Sequence, residues 1–154
     1  MKRLCLFGIF LVGLLTCWHA GAAETNAPAY DSTITKEEAL DIAESVFRYQ
    51  FSHNASGLQQ KAQGFFLKLF RDDPDADFLS RFKDVMPPVH KGTEFKSGAG
   101  LRFSVVKIKR LTASTVEVEG GYFEGGLSAS GNRYTVEKKD GKWTVVKDRM
   151  MWIS

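Results

Sequence analysis

The segment RYTVEKKDGKWTVVKDRMMWI, residues 133–153, has the clearest structural signal in the chain. Asp140-Gly141 lies at its centre, and this dipeptide suits the positive φ angles of a two-residue type I′ turn. β-branched and aromatic residues recur among polar ones on both sides of the turn, as in β-strands. The segment therefore predicts a β-hairpin. The predicted register pairs Lys139 with Lys142, Lys138 with Trp143, and Val136 with Val145.

Two alternating segments upstream predict further strands. Residues 101–108 alternate apolar and polar side chains, but the phase changes after Val105, which indicates a β-bulge. Residues 116–119 alternate valine and glutamate, a pattern typical of a half-buried strand. The glycine pairs on either side of Tyr122 and Glu124 indicate bends in a strand, which would carry both side chains on one face.

The N-terminal half predicts helices and one buried strand. Thr35 and Glu38 form a capping box that starts an amphipathic helix ending at about Ser52, with Gln50 on its otherwise apolar face. The apolar run 65–70 predicts a strand. Asp73 is expected to cap a second helix, and residues 89–100 are expected to form a loop. Helices followed by a strand-rich C-terminal third predict an α+β fold.

The first 22 residues are predicted to be a signal peptide. Lys2 and Arg3 precede an apolar run from Leu4 to Thr16, and an A-x-A pattern follows at residues 20–22. The apolar run is shorter than the ~20 residues of a membrane-spanning helix. No transmembrane anchor is therefore expected.

Signal-peptide cleavage would define the mature chain as a flexible lead-in, residues 23–34, and one domain, residues 35–154. We expect this chain to be periplasmic or secreted. Cys5 and Cys17 would both be removed, so disulfides are not expected to stabilise the domain. The alternative is a lipoprotein, in which residues 14–17 act as a lipobox and Cys17 carries the anchor.

Charge and motifs restrict the possible functions. Without Lys2 and Arg3, 19 basic and 18 acidic side chains remain, so no electrostatic footprint for nucleic acid is expected. His53 and His90 belong to no nucleophile motif and to no cysteine-containing zinc pattern. The aspartates from residue 73 to 84 imitate the spacing of a calcium loop but lack its glycine. We expect no metal and no cofactor.

The last strand contains the strongest candidate site. Residues 147–149 are charged and lie where the apolar face of the strand changes parity, so a bulge there would turn one charged side chain inward. Our hypothesis is that Asp148 or Arg149 projects into a pocket; the alternative is that these charges are solvated. The candidate pocket residues are Tyr122, Glu124, Tyr134, Asp148, Arg149 and Trp152.

The order of the predicted elements resembles the NTF2-like, cystatin-like superfamily. A leading amphipathic helix is followed by short elements and by a long meander ending in Gly141-Lys142-Trp143-x-Val145. The resemblance covers residues 35–154 and implies N-terminal helices packed on a curved antiparallel sheet around a conical pocket. Enzymes of this superfamily use an Asp–His or Tyr–Asp pair in the pocket, which is not recognisable in the sequence.

Three functions remain open, because the fold does not select one. The favoured function is a non-catalytic binding or accessory protein of the bacterial cell envelope, whose partner is a small apolar ligand or an exported protein. The second is a pocket enzyme, a hydrolase or isomerase, with Asp148, Glu124 or Tyr122 as general acid or base. The third is an inhibitor or immunity-type protein with an exposed apolar patch.

Overall fold

The computed structural model describes residues 29–58 and 61–154; the predicted signal peptide and both cysteines lie outside them. The helices are α1 (Lys36–Ser52) and the short α2 (Ala76–Ser80), and Gly92–Glu94 form one 3₁₀ turn. The six strands are β1 (Gly64–Leu69), β2 (Val89–Lys91), β3 (Gly100–Thr112), β4 (Thr115–Gly125), β5 (Ser128–Lys139) and β6 (Lys142–Ile153).

All six strands form one sheet in the order β2-β1-β3-β4-β5-β6. The predicted α+β class is confirmed. Strands β3 to β6 form an antiparallel meander, whereas β1 pairs in parallel with both β2 and β3. The sheet is therefore mostly antiparallel, as expected, and the parallel pairing of β1 was not predicted. Residues 70–99 return the chain to the end at which β1 began, so β3 enters alongside β1 in the same direction.

Helix α1 covers one face of the sheet and supplies six of the 22 buried apolar residues that form the core of the described chain. The side chain of Thr35 accepts a hydrogen bond from the Glu38 backbone N–H at 3.2 Å, as predicted. The Glu38 carboxylate does not complete the capping box by accepting from the Thr35 backbone; it binds Arg110 at 2.5 Å instead. Ile42 and Phe47 are fully buried against the sheet, and burial of each such side chain contributes about 1.5–3 kcal/mol.

The second helix begins two residues later than predicted. Asp75, not Asp73, caps α2 by accepting the backbone N–H of Phe78 at 2.8 Å. Asp73 instead forms an ion pair with Lys68 at 2.9 Å and accepts a hydrogen bond from the backbone of Thr93 at 3.0 Å. These contacts attach the loop after β1 to the 3₁₀ turn.

The segment 89–100, expected to be a loop, contains β2. Phe65 and Phe66 of β1 lie opposite Val89 and His90 in parallel register. A strand of three residues is too short to show an alternating pattern, which is why the sequence did not predict it.

The C-terminal hairpin has the predicted turn and register. Asp140 and Gly141 have φ angles of 51° and 79°, and the three predicted pairs are all present. The bulge predicted after Val105 is present too, because Val106 is skipped in the pairing of β3 with β4. Strand β6 has two further bulges, which skip Val146 and Met151.

Residues 29–34, within the segment interpreted as a lead-in, contact the sheet. Tyr30 forms a parallel bridge with Ile108 of β3, and the backbone N–H of Asp31 donates to the carbonyl of Ile108 at 3.1 Å. Ile34 is buried in the core. The N-terminal border of the packed structure therefore precedes α1 by several residues.

Candidate functional site

A cleft of about 280 Å³ opens between the C-terminal end of α1 and the sheet. This volume lies just below the range for small-molecule sites, which is roughly 300–1,000 Å³. Its polar lining includes Gln50, His53, Ser130, Asn132, Tyr134 and Asp148. The apolar part of the wall includes Phe103, Tyr122 and Met150. We call this space the helix-side cleft.

Asp148 reaches the helix-side cleft because of a bulge in β6. The bulge at Val146 places Asp148 directly opposite Tyr134, and opposed residues of antiparallel strands share a face. The amide of Asn132 donates to Asp148 Oδ1 at 2.7 Å, and its carbonyl oxygen accepts from the Ser130 hydroxyl at 2.7 Å. This chain of hydrogen bonds fixes the carboxylate at the wall of the cleft.

Gln50 is a buried polar side chain with one unmet hydrogen-bonding atom. It is 1% exposed, and its Nε2 donates to the Ser104 carbonyl and the Tyr134 hydroxyl, each at 3.2 Å. Its Oε1 has no partner within the described residues. Nε2 faces backbone carbonyls, which accept hydrogen bonds, so the amide cannot be turned to place its oxygen there. An unmet buried acceptor costs about 1–3 kcal/mol.

Tyr134 offers a hydrogen-bond donor to the cleft. Its hydroxyl oxygen accepts the bond from Gln50, which leaves the O–H proton for another acceptor. Burial raises the pKa of Tyr134 well above its usual value, and the charge of Asp148 raises it further. The pKa of Tyr49, whose ring centroid lies 5.9 Å from that of Tyr134, is raised by the same two causes. The Tyr134 hydroxyl therefore stays protonated at neutral pH.

The charge of the cleft is negative. Among its described lining residues there is no lysine or arginine, and Asp148 is the carboxylate. The helix end adds His53, whose ring stacks on Tyr49 with 4.1 Å between centroids. The cleft thus combines a donor, an unmet acceptor, a carboxylate and aromatic rings. Such groups complement a ligand that carries an ammonium or amide N–H group.

Three of the six predicted pocket residues meet in this cleft: Tyr122, Tyr134 and Asp148. Arg149 lines neither this cleft nor the larger groove described below; it is exposed and lies opposite Arg133. Trp152 lines that groove, on the other face of the sheet.

Glu124 forms a structural contact beside the cleft. Its carboxylate accepts hydrogen bonds from the hydroxyls of Ser56 at 2.5 Å and Ser128 at 2.9 Å. The Ser128 hydroxyl also lies 3.5 Å from that of Tyr122. Glu124 therefore joins the segment after α1 to the hairpin between β4 and β5.

Gln50 and Asn132 are cleft residues that the sequence analysis did not select. Gln50 had a usable signal, because a polar residue on the apolar face of a helix must find buried partners. Asn132 had none, since it lies among the polar and glycine residues of β5.

The described part of the chain holds no cluster of three or more His, Cys, Asp or Glu residues suited to a metal ion. In residues 29–58 and 61–154, no helix has the length and apolar character needed to cross a membrane. The fold and the cleft thus define an α+β protein with a small acidic cleft between its long helix and its sheet. Comparison of the chain with protein-family models, curated proteins and solved structures gives no match.

Proposed function

We propose that this chain is an exported, non-catalytic binding protein of NTF2-like type, and that its ligand is a small molecule with an ammonium or amide N–H group. The N-terminal sequence pattern supports export. The long helix packed on a four-stranded meander, with a cleft at one end, supports the NTF2-like assignment. The observation that carries the binding function is the buried, unmet Oε1 of Gln50.

The unmet acceptor is best explained by a ligand. A glutamine with one unpaired oxygen gains no stability over a leucine of similar size at this position, because its desolvation is only partly compensated. A ligand N–H group that enters the helix-side cleft would supply the missing donor.

The carboxylate of Asp148 favours a cation or a strong donor as ligand. Asn132 holds one oxygen of this carboxylate at 2.7 Å, and the rings of Tyr122 and Tyr134 also line the cleft. Aromatic faces attract ammonium groups. The apolar ligand expected from the sequence stays an untested prediction, and the polar wall of the cleft favours a ligand with one charged end.

A pocket enzyme is the second candidate, because Tyr134 and Asp148 form a facing pair in the cleft. The raised pKa of Tyr134 argues against proton transfer, since a general acid or base works best with a pKa near the operating pH. A hydroxyl that holds its proton is suited to donate a permanent hydrogen bond. Binding is therefore the better-supported function.

The first experiment is native mass spectrometry of the purified protein, with phenethylammonium as a probe and 2-phenylethanol as its neutral counterpart. Phenethylammonium is expected to bind in a 1:1 complex and more tightly than the alcohol. Asp148→Asn is expected to weaken the Kd of phenethylammonium by about tenfold or more, the range for a hydrogen bond to a charged group.

Glu137→Gln is the matched control for that experiment. Glu137 is an exposed carboxylate of β5 outside the cleft, so its removal changes the net charge equally and should leave the Kd unchanged. Equal weakening by both substitutions, or equal affinity for the ammonium and the alcohol, would contradict the proposal. Isothermal titration with the same two probes measures the Kd values.

A further inference from the structure

A second, larger concave site lies on the face of the sheet that α1 leaves open. Phe103 packs against Phe51 of α1, with 5.4 Å between ring centroids. Because neighbouring side chains of a strand point to opposite faces, Arg102 and Ser104 lie on the other side. The space there has a volume of about 670 Å³. We call it the open-face groove.

A row of residues in register across five strands runs beneath the open-face groove, and all of them except Gly121 line it. Each is directly opposite the next in the order Lys68, Ser104, Gly121, Gly131 and Trp152. The three in the middle have small side chains or none, so the row forms a trough. Four spacings of about 4.8 Å between strands give the trough a length of ~19 Å.

One end of the trough is apolar. Trp152 is 55% exposed, and its indole lies against the backbone of Gly131, where an added Cβ would be 2.1 Å from the indole nitrogen. Met151 lines the same end and is 46% exposed. Glycine at position 131 is therefore required for this placement of the ring.

The opposite end of the trough is cationic. Arg71 and Arg102 both line it, and neither forms an ion pair within the described residues. The guanidinium of Arg102 lies over the rings of Phe95 and Phe123, at 5.4 and 4.8 Å from their centroids. These two positive charges have no carboxylate partner, although Lys68 beside them has Asp73.

We propose that the open-face groove binds an elongated amphipathic anion, a single acyl chain with a carboxylate head. The carboxylate head lies between Arg71 and Arg102, which flank the Lys68–Ser104 pair on either side, and is attracted by both charges. The chain lies along the floor and ends at Trp152. Glu119 and Arg133, which also line the groove, neutralise each other in an ion pair at 3.2 Å. The polarity of the groove, with two unpaired cations at one end and exposed apolar side chains at the other, matches the polarity of such a molecule. This site is separate from the helix-side cleft and does not depend on its ligand.

Dodecanoate, below its micelle concentration, is the probe for this site, and the fluorescence of Trp152 is the readout. Trp152→Phe identifies which part of the emission belongs to that ring, because Trp143 is buried in the core. The expected result is a saturable blue shift from one bound molecule per chain. Dodecanol and dodecyltrimethylammonium, which share the chain but lack the negative head, are expected to bind at least tenfold more weakly.

Arg71→Gln is expected to weaken the Kd of dodecanoate by about tenfold, the effect of losing one charged hydrogen bond. Arg149→Gln is the matched control: it removes the same charge from an exposed position that does not line the groove, and should change the Kd less than twofold. Gly131→Ala should displace Trp152 and weaken binding as well, with an unchanged circular dichroism spectrum.

Several results would overturn the proposal. Equal effects of Arg71→Gln and Arg149→Gln would show only a general attraction to a basic surface. Equal affinity for dodecanol would remove the role of the two arginines. An absence of dodecanoate binding, with or without binding to phosphatidylglycerol vesicles, would exclude a single-molecule site in the groove.

Discussion

The buried pair of Gln50 and Tyr134 allows a direct test of whether the cleft is built for stability or for a ligand. The perturbation is a double-mutant cycle consisting of Gln50→Leu, Tyr134→Phe and the combination of both. If these polar groups are retained for binding, their joint replacement by apolar groups of similar shape should not destabilise the fold.

The structure gives the expected magnitudes. Tyr134→Phe removes one of the acceptors of Gln50 Nε2, which keeps the Ser104 carbonyl at 3.2 Å; we expect a loss of about 1 kcal/mol. Gln50→Leu deletes the unmet Oε1, which should raise the free energy of unfolding by about 1–3 kcal/mol. The same substitution leaves the hydroxyl of Tyr134, which is 2% exposed, without its partner, and this should lower the free energy of unfolding by a similar amount. Its net effect should be within about 1 kcal/mol of zero.

The double variant removes both the unmet acceptor and the orphaned hydroxyl. Two hydrogen bonds of about 1 kcal/mol each are lost, from Gln50 Nε2 to the Tyr134 hydroxyl and to the Ser104 carbonyl, against a gain of about 1–3 kcal/mol. We therefore expect the stability of the double variant to be within about 1 kcal/mol of that of the wild type. The affinity for phenethylammonium should fall in the same variant, because the cleft loses both its donor and its free acceptor.

Urea denaturation followed by circular dichroism measures these changes, provided that the m-value is constant across the series. Ile42→Ala is the control, since Ile42 is fully buried in α1 and its truncation should cost about 2–5 kcal/mol. A double variant that is less stable than the wild type by about 2 kcal/mol or more would refute the reasoning. The polar pair would then be part of the stability of the fold, and the unmet acceptor would no longer indicate a ligand.

Two further predictions concern stability. Gly141→Ala should lower the free energy of unfolding by about 1 kcal/mol, because φ is 79° at this position. Gly126→Ala is the control and should be neutral, since Gly126 lies in open space and has no positive φ. Equal denaturation midpoints for the two variants would contradict this prediction. The hydrogen bond from the side chain of Thr93 lowers the pKa of Asp73 below 3.8. This carboxylate therefore contributes stability above about pH 4 that is lost as the pH falls through its folded pKa. Between pH 6 and 2.5 the stability of Asp73→Asn should decline less steeply than that of the wild type, and parallel curves would disprove the assignment.

The elements predicted best are those whose signals are local. The turn at Asp140-Gly141 fixes the register of its hairpin through backbone angles that few other dipeptides favour. Thr35 marks the start of α1 because its hydroxyl accepts a backbone N–H that would otherwise have no partner. The change of phase after Val105 is visible in the sequence because a bulge adds one residue to a two-residue repeat.

The elements that were missed depend on contacts distant in the sequence. The parallel pairing of β1 with β3 joins residues more than thirty positions apart, and no local pattern specifies it. Asp73 and Asp75 are equally good caps by residue type, and the choice between them is made by the contacts of Asp73 with Lys68 and Thr93. The same reason applies to the cleft, since the partners of Gln50 lie on β3 and β5.

The two bulges of β6 explain how one strand serves two chemically different sites. Trp143 is buried in the core, and strict alternation from it would point Asp148 away from α1. The extra residue at Val146 reverses that alternation and turns Asp148 into the helix-side cleft. With this bulge alone, Trp152 would lie on the same side as Asp148; the second extra residue, Met151, reverses the alternation again and places the indole in the open-face groove. The polarity of the last strand is mixed and fits neither a buried nor an exposed strand. This mixture is what the strand needs in order to line two sites on opposite faces of the sheet, one acidic and one with unpaired arginines.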